Sequence, residues 1–316
     1  MVKKWVNSLH VSKCRSDIPT NAPIPWKGLS LAFIVALIGL ALGSGCKGDK
    51  SVFVELEQSR RIAANLRVQF NKAADASNRA VMADTDEASI AFARDAEQTS
   101  KRIENDVVAL AGLLRSLQLP KEIRLLEEFK NHFSEYLSLD RNMLGLAVEN
   151  TNLKAQRLSF GPLQEVANRF QNSLESIAST VASKDRCRVE GLVAKAALAV
   201  REMQVLHAPH IAEREDSAMT RIEGDLDRLQ VTADDAVTEL SKLIDAKAGE
   251  QIALAKKELD QFKGISRQIV VLSRRNSNVR SLDLALRTKL PLTATCDDGL
   301  RVLQDALSNE GSKATR

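Results

Sequence analysis

Glycine and proline are scarce in this sequence, with 14 and 7 in 316 residues. A β-sandwich or barrel needs a turn every 8–12 residues or so, so these counts argue against one. Aromatic residues are also few, at 4% with a single tyrosine, which speaks against a sheet core and against base-stacking surfaces. No Cys-x-x-Cys, phosphate-binding glycine loop or recognisable nucleophile–base motif occurs, so the chain is expected not to be an enzyme and to need no cofactor. Net positive charge is missing too, once its source is located. The formal charge is +4, and residues 1–27 hold five basic side chains against one acidic, which accounts for all of it. The remainder is neutral, so a nucleic-acid partner is not expected.

Long apolar runs are absent except for one. Residues 29–45 carry no charge and follow a basic segment, the pattern of an export signal or a short membrane anchor. Cys46 stands at the end of this run, before polar Lys47, Gly48, Asp49 and Lys50. Leu42-Gly43-Ser44-Gly45-Cys46 resembles the lipobox of bacterial lipoproteins, although the leucine lies one place earlier than usual. The resemblance implies cleavage before Cys46 and lipidation of its thiol, with Lys47 in the following position favouring the outer membrane. An uncleaved anchor and simple secretion are the alternatives. Residues 1–45 are thus assigned as signal peptide or anchor and 46–50 as a linker.

What is abundant is helix-forming sequence. The spacing of apolar residues predicts helices over about 51–82, 86–118, 121–158, 163–206, 212–246, 249–288 and 292–308, and residues 309–316 are expected to be a disordered tail. Asp84-Thr85-Asp86 offers a helix N-cap, and Leu119-Pro120 a helix end followed by a start. The 3-4 seams nominate Ile103, Val107, Leu110, Leu114, Phe129, Phe133, Phe170, Ile222, Leu226, Leu229 and Phe262 as core.

The two halves look alike. Arg102-Ile-Glu-Asn-Asp106 matches Arg221-Ile-Glu-Gly-Asp225, Leu126-Glu-Glu-Phe129 matches Leu259-Asp-Gln-Phe262, and Pro162-Leu163 matches Pro291-Leu292. An internal duplication follows. The expected fold is all-α: two tandem up-down-up-down four-helix bundles, residues 51–186 and 187–308, sharing one long helix over 163–206. A break at Ser183-Lys184-Asp185-Arg186 is the rival arrangement.

Ala93-Arg-Asp-Ala-Glu97, Leu125-Leu-Glu-Glu-Phe129 with Tyr136, and Pro162 through Ile177 resemble the four-helix-bundle sensor domain of bacterial chemoreceptors. The resemblance covers roughly residues 51–186 and implies an extracytoplasmic module that binds a small ligand between helices or at a homodimer interface. No second apolar segment and no signalling hairpin follow, so any output is expected from a protein partner. The competing expectation is an envelope spacer or scaffold that binds other proteins along its helical faces.

One cluster has metal-capable side chains. His207, His210 and Glu213 surround Pro209, and the tandem topology would bring Cys296 to the same end. The plainer reading is a polar helix corner. Cys187 and Cys296 are expected far apart and unpaired.

Overall fold

A computed structural model describes residues 47–181, 184–244 and 248–314. The chain divides after Gly48, and the unit Asp49–Arg316 is considered by itself. Cys46 and the apolar run before it lie outside the described residues. Among the described residues there is no strand, and no helix is long and apolar enough to cross a membrane.

The helices are α1 Lys47–Met82, α2 Asp86–Ser116, α3 Pro120–Glu149, α4 Thr151–Phe160, α5 Pro162–Thr180, α6 Arg186–Ala212, α7 Asp216–Leu243, α8 Gly249–Arg275, α9 Ser277–Leu284 and α10 Leu290–Ala314. A π turn, Ala285–Lys289, joins the last two. Local chemistry sets several ends. Thr85 caps α2 by accepting a hydrogen bond from the Ala88 amide at 3.1 Å. Pro120 and Pro162 occupy first-turn positions, where their missing N–H is not needed. The π turn precedes Pro291, and its Leu290 N–H reaches back five residues to the Ala285 carbonyl. Proline displaces the carbonyl four residues before it, and a widened turn accommodates that clash.

Two main cores form. One joins Leu66 and Phe70 of α1, Ile103, Val107, Leu110 and Leu114 of α2, Phe129, Phe133 and Tyr136 of α3, and Cys296, Leu300 and Leu303 of α10. The other joins Ala155 of α4, Phe170 and Leu174 of α5, Val200 and Met203 of α6, Leu226 and Val237 of α7, and Leu259, Phe262 and Ile269 of α8. Of the seam residues nominated above, Ile222 and Leu229 are partly buried and pack on this second core, and the others are fully buried.

This arrangement corrects the tandem order. The fourth helix of the first group is α10, from the far end of the sequence, and α5 belongs to the second group. The single helix expected over 163–206 is also absent: α5 ends at Thr180, Val181 is extended at φ −83°, ψ 144°, and α6 starts afresh at Arg186. The helix is broken between Thr180 and Arg186, as the rival arrangement had it. Chain reversal follows, with Gln164 reaching Gln204 and Gln171 reaching Arg201.

The reason for the exchange is that the helix breaks after α3 and α8 do not turn the chain around. Phe129 faces Gly299, Asp140 faces Lys289, Asn152 faces Asn278 and Ser173 faces Glu258, one antiparallel register throughout. Thus α3–α4–α5 and α8–α9–α10 are two opposed rods, each passing from one core into the other. At about 1.5 Å per residue, residues 120–180 extend about 90 Å. The predicted helices 121–158 and 249–288 are interrupted at Asn150 and Asn276, both left-handed at φ 49° and 54°. Asparagine tolerates that conformation because its side chain can satisfy local groups. Here the satisfaction is reciprocal. The Thr151 amide donates to Ser277 Oγ and the Ser277 amide to Thr151 Oγ1. The Asn152 amide donates to Asn278 Oδ1 and the Asn278 amide to Asn152 Oδ1, both at 3.1 Å. Glu149-Asn-Thr-Asn152 and Arg275-Asn-Ser-Asn278 therefore pair about a local two-fold, which agrees with the internal repeat.

Candidate functional site

The seam of the first core is interrupted by three polar side chains from three helices. Ser77 lies seven residues after Phe70 on α1, Asp140 seven after Phe133 on α3, and Lys289 seven before Cys296, so each occupies a core-facing position. All three are buried: Lys289 is 2% exposed and Asp140 3%. Lys289 Nζ lies 2.8 Å from Asp140 Oδ1 and donates to Ser77 Oγ at 2.5 Å; Ser77 in turn donates to Asp140 Oδ1 at 2.5 Å. The ammonium also sits 5.2 Å from the centre of the Tyr136 ring. Lys289 reaches this layer from the last residue of the π turn, a feature common at functional positions.

Electrostatics here are set by burial. Desolvation lowers the Lys289 pKa, and the Asp140 carboxylate works against that shift. Burial, with the Asp140 charge second, pushes the Tyr136 hydroxyl well above its ordinary value. That hydroxyl makes no hydrogen bond of regular geometry.

A groove flanks the layer on each side. Between α2 and α3 lies a groove of 300 Å³ lined by Glu97, Ser100, Lys101, Glu104, Asp140 and Arg141. Ser100 Oγ is buried there without a hydrogen-bond partner. Between α1 and the π turn, a second groove of 210 Å³ is lined by Asn78, Met82, Leu286, Lys289 and Thr293. Asp140 and Lys289 thus each belong to one groove wall while holding each other across the core.

The four metal candidates do not meet. His207 and His210 are fully buried on α6, facing the second core. His207 Nε2 pairs with Ser266 Oγ at 3.1 Å, and His210 Nε2 with Glu223 Oε1 at 2.8 Å. Burial, with a contribution from His210, pushes the His207 imidazole down to about 4, so it is neutral near neutral pH. Arg274 donates to both oxygens of Glu223, at 2.6 and 2.8 Å. Glu213 caps the following turn, accepting from the amides of Arg214 and Glu215. Cys296 is in the other core, its thiol pushed up to about 12 by burial and by Glu135. Among the described residues no group of three or more metal-capable side chains occurs. Of the polar-corner reading, the capping carboxylate is present at Glu213, but α6 continues through Pro209 to Ala212 and both imidazoles are buried rather than exposed. Pro209 and Val205 face outward, so the carbonyl freed four residues before the proline is on the solvent side.

The Ser77–Asp140–Lys289 layer was not anticipated from the sequence. Its signal is a charged or hydroxyl residue at a seam position, visible in the spacing Phe129, Phe133, Tyr136, Asp140, Met143. Compared with protein-family models the chain matches none, and among curated proteins it has no significant match.

Proposed function

We propose that the chain is an extracytoplasmic helical binding module, held at the membrane through the segment that ends at Cys46, and that a small polar molecule binds at the Ser77–Asp140–Lys289 layer. The observation that carries this reading is the buried ion pair with an open groove on each side. Desolvating two ions costs several kcal/mol each, and apolar side chains of similar volume would often hold the layer as well or better. A layer kept at that cost has a use in binding. Ligand groups entering from the α2–α3 groove would meet Ser100 Oγ and the carboxylate of Asp140; from the other groove they would meet the ammonium of Lys289. The sequence resemblance to chemoreceptor sensor domains agrees with a ligand held between helices. Lipidation of Cys46, with Lys47 favouring the outer membrane, would make the module a tethered receptor.

The test is thermal unfolding of the chain with panels of amino acids, organic acids and amines, for wild type and the paired variant D140L/K289M. A ligand at about a hundred times its dissociation constant stabilises by about 2.7 kcal/mol, a rise of roughly 5–10 °C for a chain of this size. The reading requires at least one compound that raises the wild-type midpoint and not that of the variant. A panel that shifts neither protein, with a protein partner recovered by cross-linking along the helices, favours the scaffold instead.

A further inference from the structure

Helix α6 carries a second stripe of mostly small and apolar side chains opposite its buried face. Its inner face buries Val189, Ala196, Val200 and Met203. Its outer face carries Gly191, Ala194, Leu198, Arg201, Val205 and Ala208, all exposed and spaced 3, 4, 3, 4, 3. Leu198 is 58% exposed and Val205 65%. A sustained 3-4 stripe is the seam of a helix pair. Beside it lies a groove of 430 Å³ between α6 and α7, with Val205, Leu206 and Leu229 on its walls and the charged Glu202, Asp225 and Arg228 among them.

We propose that this face is the contact through which two copies of the chain pair, α6 against α6 and antiparallel. The charges select the occupant and its direction. Lys195 and Glu202 lie on one edge of the stripe, both exposed and, among the described residues, neither engaged in an ion pair. In an antiparallel pair the same edges meet, so Lys195 of each copy faces Glu202 of the other, twice by symmetry. The stripe is then self-complementary: Gly191 lies opposite Ala208, Ala194 opposite Val205, and Leu198 opposite the aliphatic stem of Arg201, whose guanidinium can extend to the rim. A parallel pair would instead place Arg201 against its own copy in the seam, a like-charge contact. Nothing in this pairing depends on the ligand layer, which lies in the other core.

The experiment is sedimentation of the full chain in mild detergent with the detergent mass matched. The wild type should sediment at twice the mass that mass spectrometry gives for its single chain. K195E and E202K should each weaken association at least about tenfold, and the double swap K195E/E202K should return it to within about threefold of wild type. L198E should be monomeric with an unchanged far-UV circular dichroism spectrum. A wild type that stays monomeric at about 100 μM overturns the proposal, as does a double swap that fails to restore pairing. So does a disulfide between Cys187 residues of two copies, mapped by mass spectrometry. Cys187 is exposed at one end of the stripe, and the antiparallel order puts the two thiols about 37 Å apart.

Discussion

Replacing Lys289 by methionine leaves the Asp140 carboxylate buried with only the Ser77 hydroxyl and the polarity of Tyr136 beside it. Its partner at 2.8 Å is gone, and the site is 3% exposed, so water cannot substitute freely. Breaking one half of such a buried pair costs about 3–5 kcal/mol. For a chain of this size that corresponds to a fall in midpoint of roughly 6–20 °C. D140L should cost a similar amount for the converse reason, since it strands an ammonium. The paired change D140L/K289M removes both desolvation penalties and fills the layer with apolar atoms, and it should come within about 1 kcal/mol of wild type or exceed it by up to ~4 kcal/mol. Urea unfolding followed by far-UV circular dichroism measures all four proteins, with an unchanged slope showing that the same surface is exposed on unfolding. A K289M variant that loses less than about 1 kcal/mol would refute the reasoning, because that is the behaviour of a solvated surface pair. A paired variant no better than the single ones would show that Asp140 and Lys289 act separately.

His207 supplies a pH dependence. Its pKa falls from 6.5 to about 4 on folding, so the unfolded chain binds the proton first and stability should drop as pH falls from about 6.5 towards 4, by up to about 3 kcal/mol. H207Q should flatten the part of the profile between about pH 6.5 and 5, above the range where paired carboxylates such as Glu223 titrate; an unchanged slope there would exclude His207 as its source. Iodoacetamide should label Cys187 in the native chain and leave Cys296 unlabelled until unfolding, since one thiol is exposed and the other is buried with its pKa near 12; peptide mass mapping reads the outcome, and equal labelling would place Cys296 outside the core. C46S should accumulate as uncleaved precursor without acyl label, whereas normal maturation of that variant would end the lipoprotein reading.

The helical class and the facing of most helices were legible in the sequence because a 3-4 spacing fixes which side of a helix is apolar. Ile103, Val107, Leu110 and Leu114 behave as their spacing predicts, and so do Phe129, Phe170 and Phe262. Spacing does not say which helix lies opposite. Leu300 and Leu303 read equally well as the end of a second bundle, and what sends them to the first core is the straight passage of the chain through Asn276 and the π turn. Asn150 and Asn276 look like ordinary polar residues in helical sequence, and their left-handed conformation becomes intelligible only when each faces the other's segment. The repeat was visible at Arg102-Ile103-Glu104 and Arg221-Ile222-Glu223, but the exchange of closing helices between its halves was not. The buried polar layer was half legible: Asp140 and Lys289 stand at seam positions, yet only the antiparallel register brings two residues 149 apart in sequence to one carboxylate–ammonium contact. His207 and His210 misled because Pro209 between them reads as a helix end.

Hydrogen exchange along the backbone, with and without the compound that most raises the thermal midpoint, tests binding at the buried layer most directly. Bound ligand should slow exchange in peptides covering residues 97–104, 137–144 and 285–290, and leave 226–240 of the second core unchanged. Protection confined to the second core, or along α6 alone, would contradict the assignment of the ligand to the Ser77–Asp140–Lys289 layer.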